Sequence, residues 1–290
     1  MTRGYISPTI HNPGGSNDAD FIIYGYVPSL VLAIIGIVTF VLCTCVHIGQ
    51  VARYRTWYFT LLVVGSAMEI VGYIFRSLSS KVDPYFVPYF VVQYFFIVVA
   101  PVFFSAGIYV VLSKFINKAG RSYAPLPPKV IVAIFVVFDV VTTIIQIVGA
   151  ALIGTAESNN TSPEAANDIL LAGLAIQVAS FAVFLVLLAV CISRILQKRG
   201  SGTWAHSAIA ARLLFVLVVT SLLVELRTIF RLIETAQGVF GYLSSHESYF
   251  GCLEYLPIIL TVSLWNFLHP GFLLRDDDHI HVLPMTNRHP

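Results

Sequence analysis

The stretch Arg227-Thr228-Ile229-Phe230-Arg231-Leu232-Ile233-Glu234-Thr235-Ala236-Gln237-Gly238 sets two arginines and a glutamate inside an apolar run. Arg227, Arg231 and Glu234 stand at i, i+4 and i+7, so a helix places them on one face. The run before them, from Ile209, is apolar for long enough to cross a bilayer. Ionisable groups at membrane depth are costly, and a chain keeps them when they pair, line a wet cavity or serve a function. Reading this stretch as a charged face of a membrane-spanning helix decides how the rest is read.

Composition agrees. Of 290 residues, 57% are hydrophobic and 11% charged, and mean hydropathy is +0.83. A soluble domain carries roughly 25% charged residues. Apolar runs of spanning length cover about Tyr24–His47, Trp57–Leu78, Phe86–Leu112, Val130–Ile153, Ile169–Ile195, Ile209–Thr235 and Phe250–Phe272. The expected fold is an all-α membrane protein, a bundle of seven transmembrane helices. Residues 1–20 form a short extracellular segment, 21–274 the membrane domain, and 275–290 a cytosolic tail expected to be disordered. Residues 1–20 lack a cleavable signal's positive segment and short apolar core.

Lysine and arginine set the orientation. Arg53 and Arg55 follow span one; Lys114, Lys118, Arg121 and Lys129 follow span three; Arg194, Lys198, Arg199 and Arg212 follow span five. The other side has only Arg3 and Lys81 and carries acids such as Glu157, Glu164, Asp168 and Glu247. The N-terminus is therefore predicted outside and the C-terminus cytosolic, in a multi-pass plasma-membrane protein. Sequons at Asn159 and Asn160 fall in a loop that this orientation places outside.

Within the spans lie Glu69, Arg76, Asp139, Glu225, Arg227, Arg231, Glu234 and Glu254. Left unpaired, these eight groups would cost on the order of 15–25 kcal/mol. Glu69, Glu225 and Asp139 fall near mid-depth. Arg76, Arg227, Arg231, Glu234 and Glu254 fall in the outer half, with Gln93 and Gln146. Glu69 and Arg76 share a face of span two with Gly72 and Tyr73 between them, and Gly72 permits close helix approach. Two readings follow: a salt-bridge network that fixes the bundle, or the same groups lining an outward-opening pocket for an amphipathic ligand. The candidate substrate-binding residues are Glu69, Tyr73, Arg76, Gln93, Arg227, Arg231, Glu234 and Glu254.

Cys43, Cys45, Cys191 and Cys252 show no metal-binding spacing. No histidine is expected well inside a span, with His47 and His269 read as interfacial, so no metal, cofactor or catalytic residue is expected. Pro28, Pro101, Pro257 and Pro270 are read as kinks or hinges. No nucleotide-binding loop or basic block accompanies them, so neither ATP-driven transport by this chain alone nor nucleic-acid binding is expected.

Glu69-Ile70-Val71-Gly72-Tyr73-Ile74-Phe75-Arg76 resembles the first signature of the fungal RTA-like proteins, also called lipid-translocating exporters, and Arg227–Gly238 resembles the second. Glu247, Glu254, Leu256-Pro257 and His269-Pro270-Gly271 are similar to the family's C-terminal end, while Gly251 stands where the family carries an aromatic residue. The similarity covers about residues 20–274. It implies a seven-span fungal protein linked to resistance to toxic amphiphiles, including aminocholesterols. It further implies release of sphingoid long-chain bases, and porphyrin or haem traffic. The functional expectation is a transporter of amphipathic lipids and not an enzyme. The alternative is a seven-span receptor or sensor, or a regulator of other lipid transporters. A receptor of the rhodopsin type is disfavoured: span three ends in Tyr109–Lys114 without Asp/Glu-Arg-Tyr, and span seven has no lysine.

Overall fold

The computed structural model describes residues 5–8, 10–15, 17–158, 162, 164–197, 205, 207–238 and 241–274. The sequons at Asn159 and Asn160, the 275–290 tail, Lys198 and Arg199 lie outside the described residues. The chain is an all-α integral membrane protein, with seven helices long and apolar enough to cross a membrane. They are α1 (Leu30–Tyr54), α2 (Thr60–Lys81), α3 (Val87–Ala119), α4 (Pro128–Ser158), α5 (Glu164–Gln197), α6 (Ala208–Ala236) and a composite seventh span, α7 (Glu247–Leu273). Helical backbone satisfies its own N–H and C=O groups, which lipid cannot do for it.

Neighbours in sequence are neighbours in space, and α7 returns against both α6 and α1 to close the ring. Helix α3 is the most buried span and touches α2, α4 and α6. Its interior face carries Phe104, Ile108, Tyr109 and Phe115 into the apolar core. Phe135 of α4 and Phe181 and Phe184 of α5 stack around Tyr109 there. Valine, isoleucine and phenylalanine cover the outside, including Val38, Val137, Val186 and Phe215, as a lipid-facing surface requires.

The first span starts later than its hydropathy predicts. Proline disfavours helix in the residue before it, so Pro28 separates Tyr24–Val27 from the helix. Ser29 then caps α1 by accepting from the Leu32 N–H. Residues 5–27 instead fold over the bundle's acidic-loop end, with Tyr5 bridged to Ile22 and Asp18 to Phe86. Ile22, Tyr24 and Tyr85 form a small buried cluster in that cover.

Span seven is interrupted where the sequence has its prolines. Pro257 has no N–H, so the Leu253 carbonyl loses its helical donor. Residues Phe250–Tyr255 take a wider π-helical turn, in which the Leu256 N–H bonds the Gly251 carbonyl. Ordinary helix resumes over Leu256–Phe267, breaks at Leu268, and ends in the turn Pro270–Leu273 capped by His269.

Candidate functional site

The charged face of α6 meets α3 and α7 at the acidic-loop end of the bundle, with Glu69 of α2 within electrostatic reach. Arg227 is its centre. Its Nε donates to Glu254 Oε1 at 2.9 Å, and its Nη2 donates to the same oxygen. Glu254 is the residue that the π-helical turn of α7 presents, and it is 2% exposed. Arg227 Nη2 also donates to the Ile97 carbonyl on α3 at 2.9 Å. That carbonyl is free because its helical donor would be the N–H of residue 101, which is proline. Pro101, read from sequence as a kink or hinge, thus creates an acceptor that the arginine fills.

Arg231, one turn further along, donates to Glu234 Oε2 at 2.6 Å. Its Nε lies 4.0 Å from Glu254 Oε2, an oxygen without a hydrogen-bond partner, and its guanidinium lies over the Tyr94 ring. Glu69 is buried in the same layer, within electrostatic reach of Arg227 and Glu254. Among the described residues it has no cation within salt-bridge distance. The predicted contact of Glu69 and Arg76 with the α6 arginines therefore divides: Glu69 joins that group and Arg76 does not.

Arg76, 1% exposed, points into the N-terminal cover. Its Nη2 donates to Glu247 Oε1 and, at 2.9 Å, to the Tyr26 hydroxyl. The Phe250 ring lies beneath it at 4.1 Å. Glu247 also accepts the Ser29 N–H at the start of α1 through both oxygens, at 2.8 and 3.0 Å. This acid, read as a loop residue, ties α1, α2 and α7 together. Tyr24 donates to Gln93 Oε1 and shares a hydrogen bond of 2.9 Å with Ser79. Burial pushes the Tyr24 phenol up to about 12 and also raises Tyr26, so both act as neutral hydroxyls. Tyr24 and Tyr26 were missed as site residues because they look like the first turn of span one. Gly25, at φ 73°, and Pro28 are the signals against that reading.

Tyr73 lies beneath the layer as packing, stacked on Phe40 and edge-on to Tyr255. Gly72 allows the close approach expected of it: a Cβ there would lie 2.6 Å from Ile97 Cγ1. Of the polar groups expected inside the spans, Gln146, Asp139 and Glu225 belong elsewhere. Gln146 bonds Gln177 of α5 at 2.7 Å. Asp139 accepts the Tyr109 hydroxyl at 2.9 Å, with Glu225 nearby. His47, expected at the interface, is fully buried because α1 continues to Tyr54, and its Nε2 lies 3.2 Å from the Val262 carbonyl.

The site is thus a closed layer in which four acids, Glu69, Glu234, Glu247 and Glu254, meet three arginines. Residues 62–277 match the family model described as RTA1 like protein, a span holding every member of that layer. The chain belongs to the RTA1-like family. It is 29% identical to the sphingoid long-chain base transporter RSB1 of Saccharomyces cerevisiae, over 99% of this chain and 82% of the relative. It is 30% identical to protein RTA1 of the same yeast, over 72% of this chain and 64% of the relative. To the yeast protoporphyrin uptake protein 1 it is 27% identical, over 85% of this chain and 91% of the relative. No solved structure matches. The RTA1-like match begins at Leu62, so it leaves out α1 and the tyrosine cover that completes the layer around Arg76.

Proposed function

We propose that this RTA1-like chain moves amphipathic lipids across the plasma membrane, with a sphingoid long-chain base as the leading cargo. The relative named as a sphingoid long-chain base transporter, similar over nearly the whole chain, supports the cargo class. The observation that carries the reading is the charge balance of the buried layer. It has one more acid than arginines, and Glu69 is the acid left without a cation. A cationic amine is the complement of that excess, and the Glu254 Oε2 atom, which has no hydrogen-bond partner, is a second acceptor for it.

The functional domain is residues 21–274, with the N-terminus outside and this layer in the outer half of the membrane. In the closed arrangement Arg76, Arg227 and Glu254 are almost fully buried. Cargo entry therefore requires α7 to move at its π-helical turn, or α3 at Pro101. The amine would then sit between Glu69 and Glu254 while the chain lies along the apolar helix faces. Movement would follow the cargo gradient or a coupled proton. The ion pairs of Arg76, Arg227 and Arg231 with acids of the layer favour a second reading, a regulator of other transporters in which the layer only holds the bundle together.

Flux of labelled dihydrosphingosine through liposomes containing the purified chain separates the two. Transport predicts flux at least about tenfold above empty liposomes, and a fall of about tenfold in Glu69→Gln. That variant should keep its thermal stability, because Glu69 has no ion pair to lose. Wild-type flux equal to that of empty liposomes would overturn transport and leave the regulator.

A further inference from the structure

A second group of buried acids lies near the middle of the spans, apart from the three arginines. Asp139 of α4 is 1% exposed and Glu225 of α6 is 7% exposed. Asp139 Oδ2 accepts the Tyr109 hydroxyl of α3 at 2.9 Å, and its Oδ1 has no hydrogen-bond partner. Glu225 lies within electrostatic reach of both Asp139 and Tyr109, and its Oε2 is likewise without a hydrogen-bond partner. Among the described residues, no arginine, lysine or histidine lies within salt-bridge distance of either carboxyl.

A threonine beside the acids points the same way. Asp139, Thr143 and Gln146 stand at i, i+4 and i+7, so they share the buried face of α4. A buried helical threonine commonly closes its hydroxyl on the carbonyl four residues back, and Thr44, Thr142, Thr220, Thr228 and Thr261 all do so. Thr143, 6% exposed, does not, and its hydroxyl has no hydrogen-bond partner. A helical side chain leans over the turn before it, which for Thr143 is the turn that carries Asp139. The same face continues toward the acidic-loop end, where Gln146 bonds Gln177. Of the neighbouring helices, α3 brings Tyr109 to the acids, and α5 brings Phe181 and Phe184 around that tyrosine. Arg227, two residues beyond Glu225, is turned to the Ile97 carbonyl of α3 and to Glu254 of α7.

Two carboxylates in one low-dielectric core repel each other, and a cation that joins them removes the repulsion. Asp139 Oδ1, Glu225 Oε2 and the Thr143 hydroxyl are the oxygens open to it. A proton is the cation that suits the place, because it needs one oxygen lone pair and no cavity. The rings of Tyr109, Phe135, Phe181 and Phe184 pack against one another beside the acids. We propose that Asp139 and Glu225 form a proton-binding site, and that its proton is the one coupled to cargo movement. The coupling, though not the site, rests on the transport reading above. Loading forms one O–H bond on a carboxylate oxygen with a proton taken from water at one membrane face, and release returns that proton to water at the other. Glu225 and Arg227 lie on the same helix, so each loading changes the charge on α6 two residues from the cargo layer.

Infrared difference spectra of the full chain in detergent, mildly acidic against alkaline buffer, test the site without any cargo. Wild type should show the carbonyl band of a protonated carboxyl, lost in alkaline buffer. Because the two acids share the proton, Asp139→Asn and Glu225→Gln should each cut that band by about half or more. Both changes nearly keep side-chain volume, and Glu225 has no hydrogen bond or ion pair to lose among the described residues. A band unchanged in either variant, or absent from wild type, would overturn the site. A melting temperature raised by sodium chloride and not by choline chloride, with no such band, would make the occupant a metal ion instead. The coupling is read in liposomes, as the flux of labelled dihydrosphingosine with a pH gradient divided by the flux without one. A gradient of about one unit should raise that ratio in wild type by up to about tenfold per coupled proton. Both variants should fall to the ratio of empty liposomes, and variants that keep the wild-type ratio would overturn the coupling. Wild-type flux no greater than that of empty liposomes would overturn the transport reading and the coupling with it, while the infrared band still decides the site.

Discussion

Replacing Arg227 with Met removes the partner on which Glu254 depends. The arginine donates to Glu254 Oε1 from both Nε and Nη2, and to the Ile97 carbonyl at 2.9 Å. In its absence a 2%-exposed carboxylate keeps only Arg231, with Nε 4.0 Å from Oε2. Breaking a buried ion pair from one side costs about 3–5 kcal/mol, and stranding the Ile97 carbonyl adds about 1 kcal/mol. For a chain of this size, 1 kcal/mol shifts the melting temperature by roughly 2–4 °C. The expected fall is therefore roughly 8–24 °C, measured by thermal unfolding in detergent. Combining Arg227→Met with Glu254→Met removes both charges at similar volume, so it should recover most of the loss. A single variant melting within about 2 °C of wild type, or a double variant no better than the single, would refute the buried-charge reasoning.

Pro101→Ala restores an N–H for the Ile97 carbonyl, so added to Arg227→Met it should regain about 1 kcal/mol in the same unfolding assay. Gly72→Ala places a Cβ 2.6 Å from Ile97 Cγ1, and should cost about 1–3 kcal/mol in the wild-type background but markedly less when introduced into Ile97→Ala, where the clash is gone. The Tyr24 pKa is raised in the folded chain to about 12, above the ordinary value near 10. Its contribution is therefore complete below pH 10 and lost as pH rises toward 12. The loss is about 2–3 kcal/mol, and unfolding midpoints of Tyr24→Phe should lack that fall.

The seven spans were legible because each is an apolar run of membrane length, and length and hydropathy are local properties. Their ends were less so. Tyr24-Gly25-Tyr26 reads as apolar, but Pro28 and the Ser29 cap move the helix start and leave both tyrosines over Arg76. The charged face of α6 was legible from spacing, because Arg227, Arg231 and Glu234 recur at helical intervals. Partners across helices were not. Glu69 and Arg76 share a face of α2, yet their heights in the bundle send one to Arg227 and Glu254 and the other to Glu247. No pattern along the chain pairs Pro101 with Arg227, because that contact exists only once α3 and α6 cross.

The central claim is that the buried layer of α2, α6 and α7 receives the cargo amine. Photo-crosslinking tests it most directly, with the full chain in liposomes and a sphingosine analogue that carries a photoactivatable group near its amine. The account predicts crosslinked peptides concentrated around Glu69, Arg227–Glu234 and Glu254. It also predicts that unlabelled sphingosine competes them away and that Glu69→Gln sharply reduces them. Crosslinks spread evenly over the lipid-facing residues of all seven helices, and unchanged in Glu69→Gln, would contradict it.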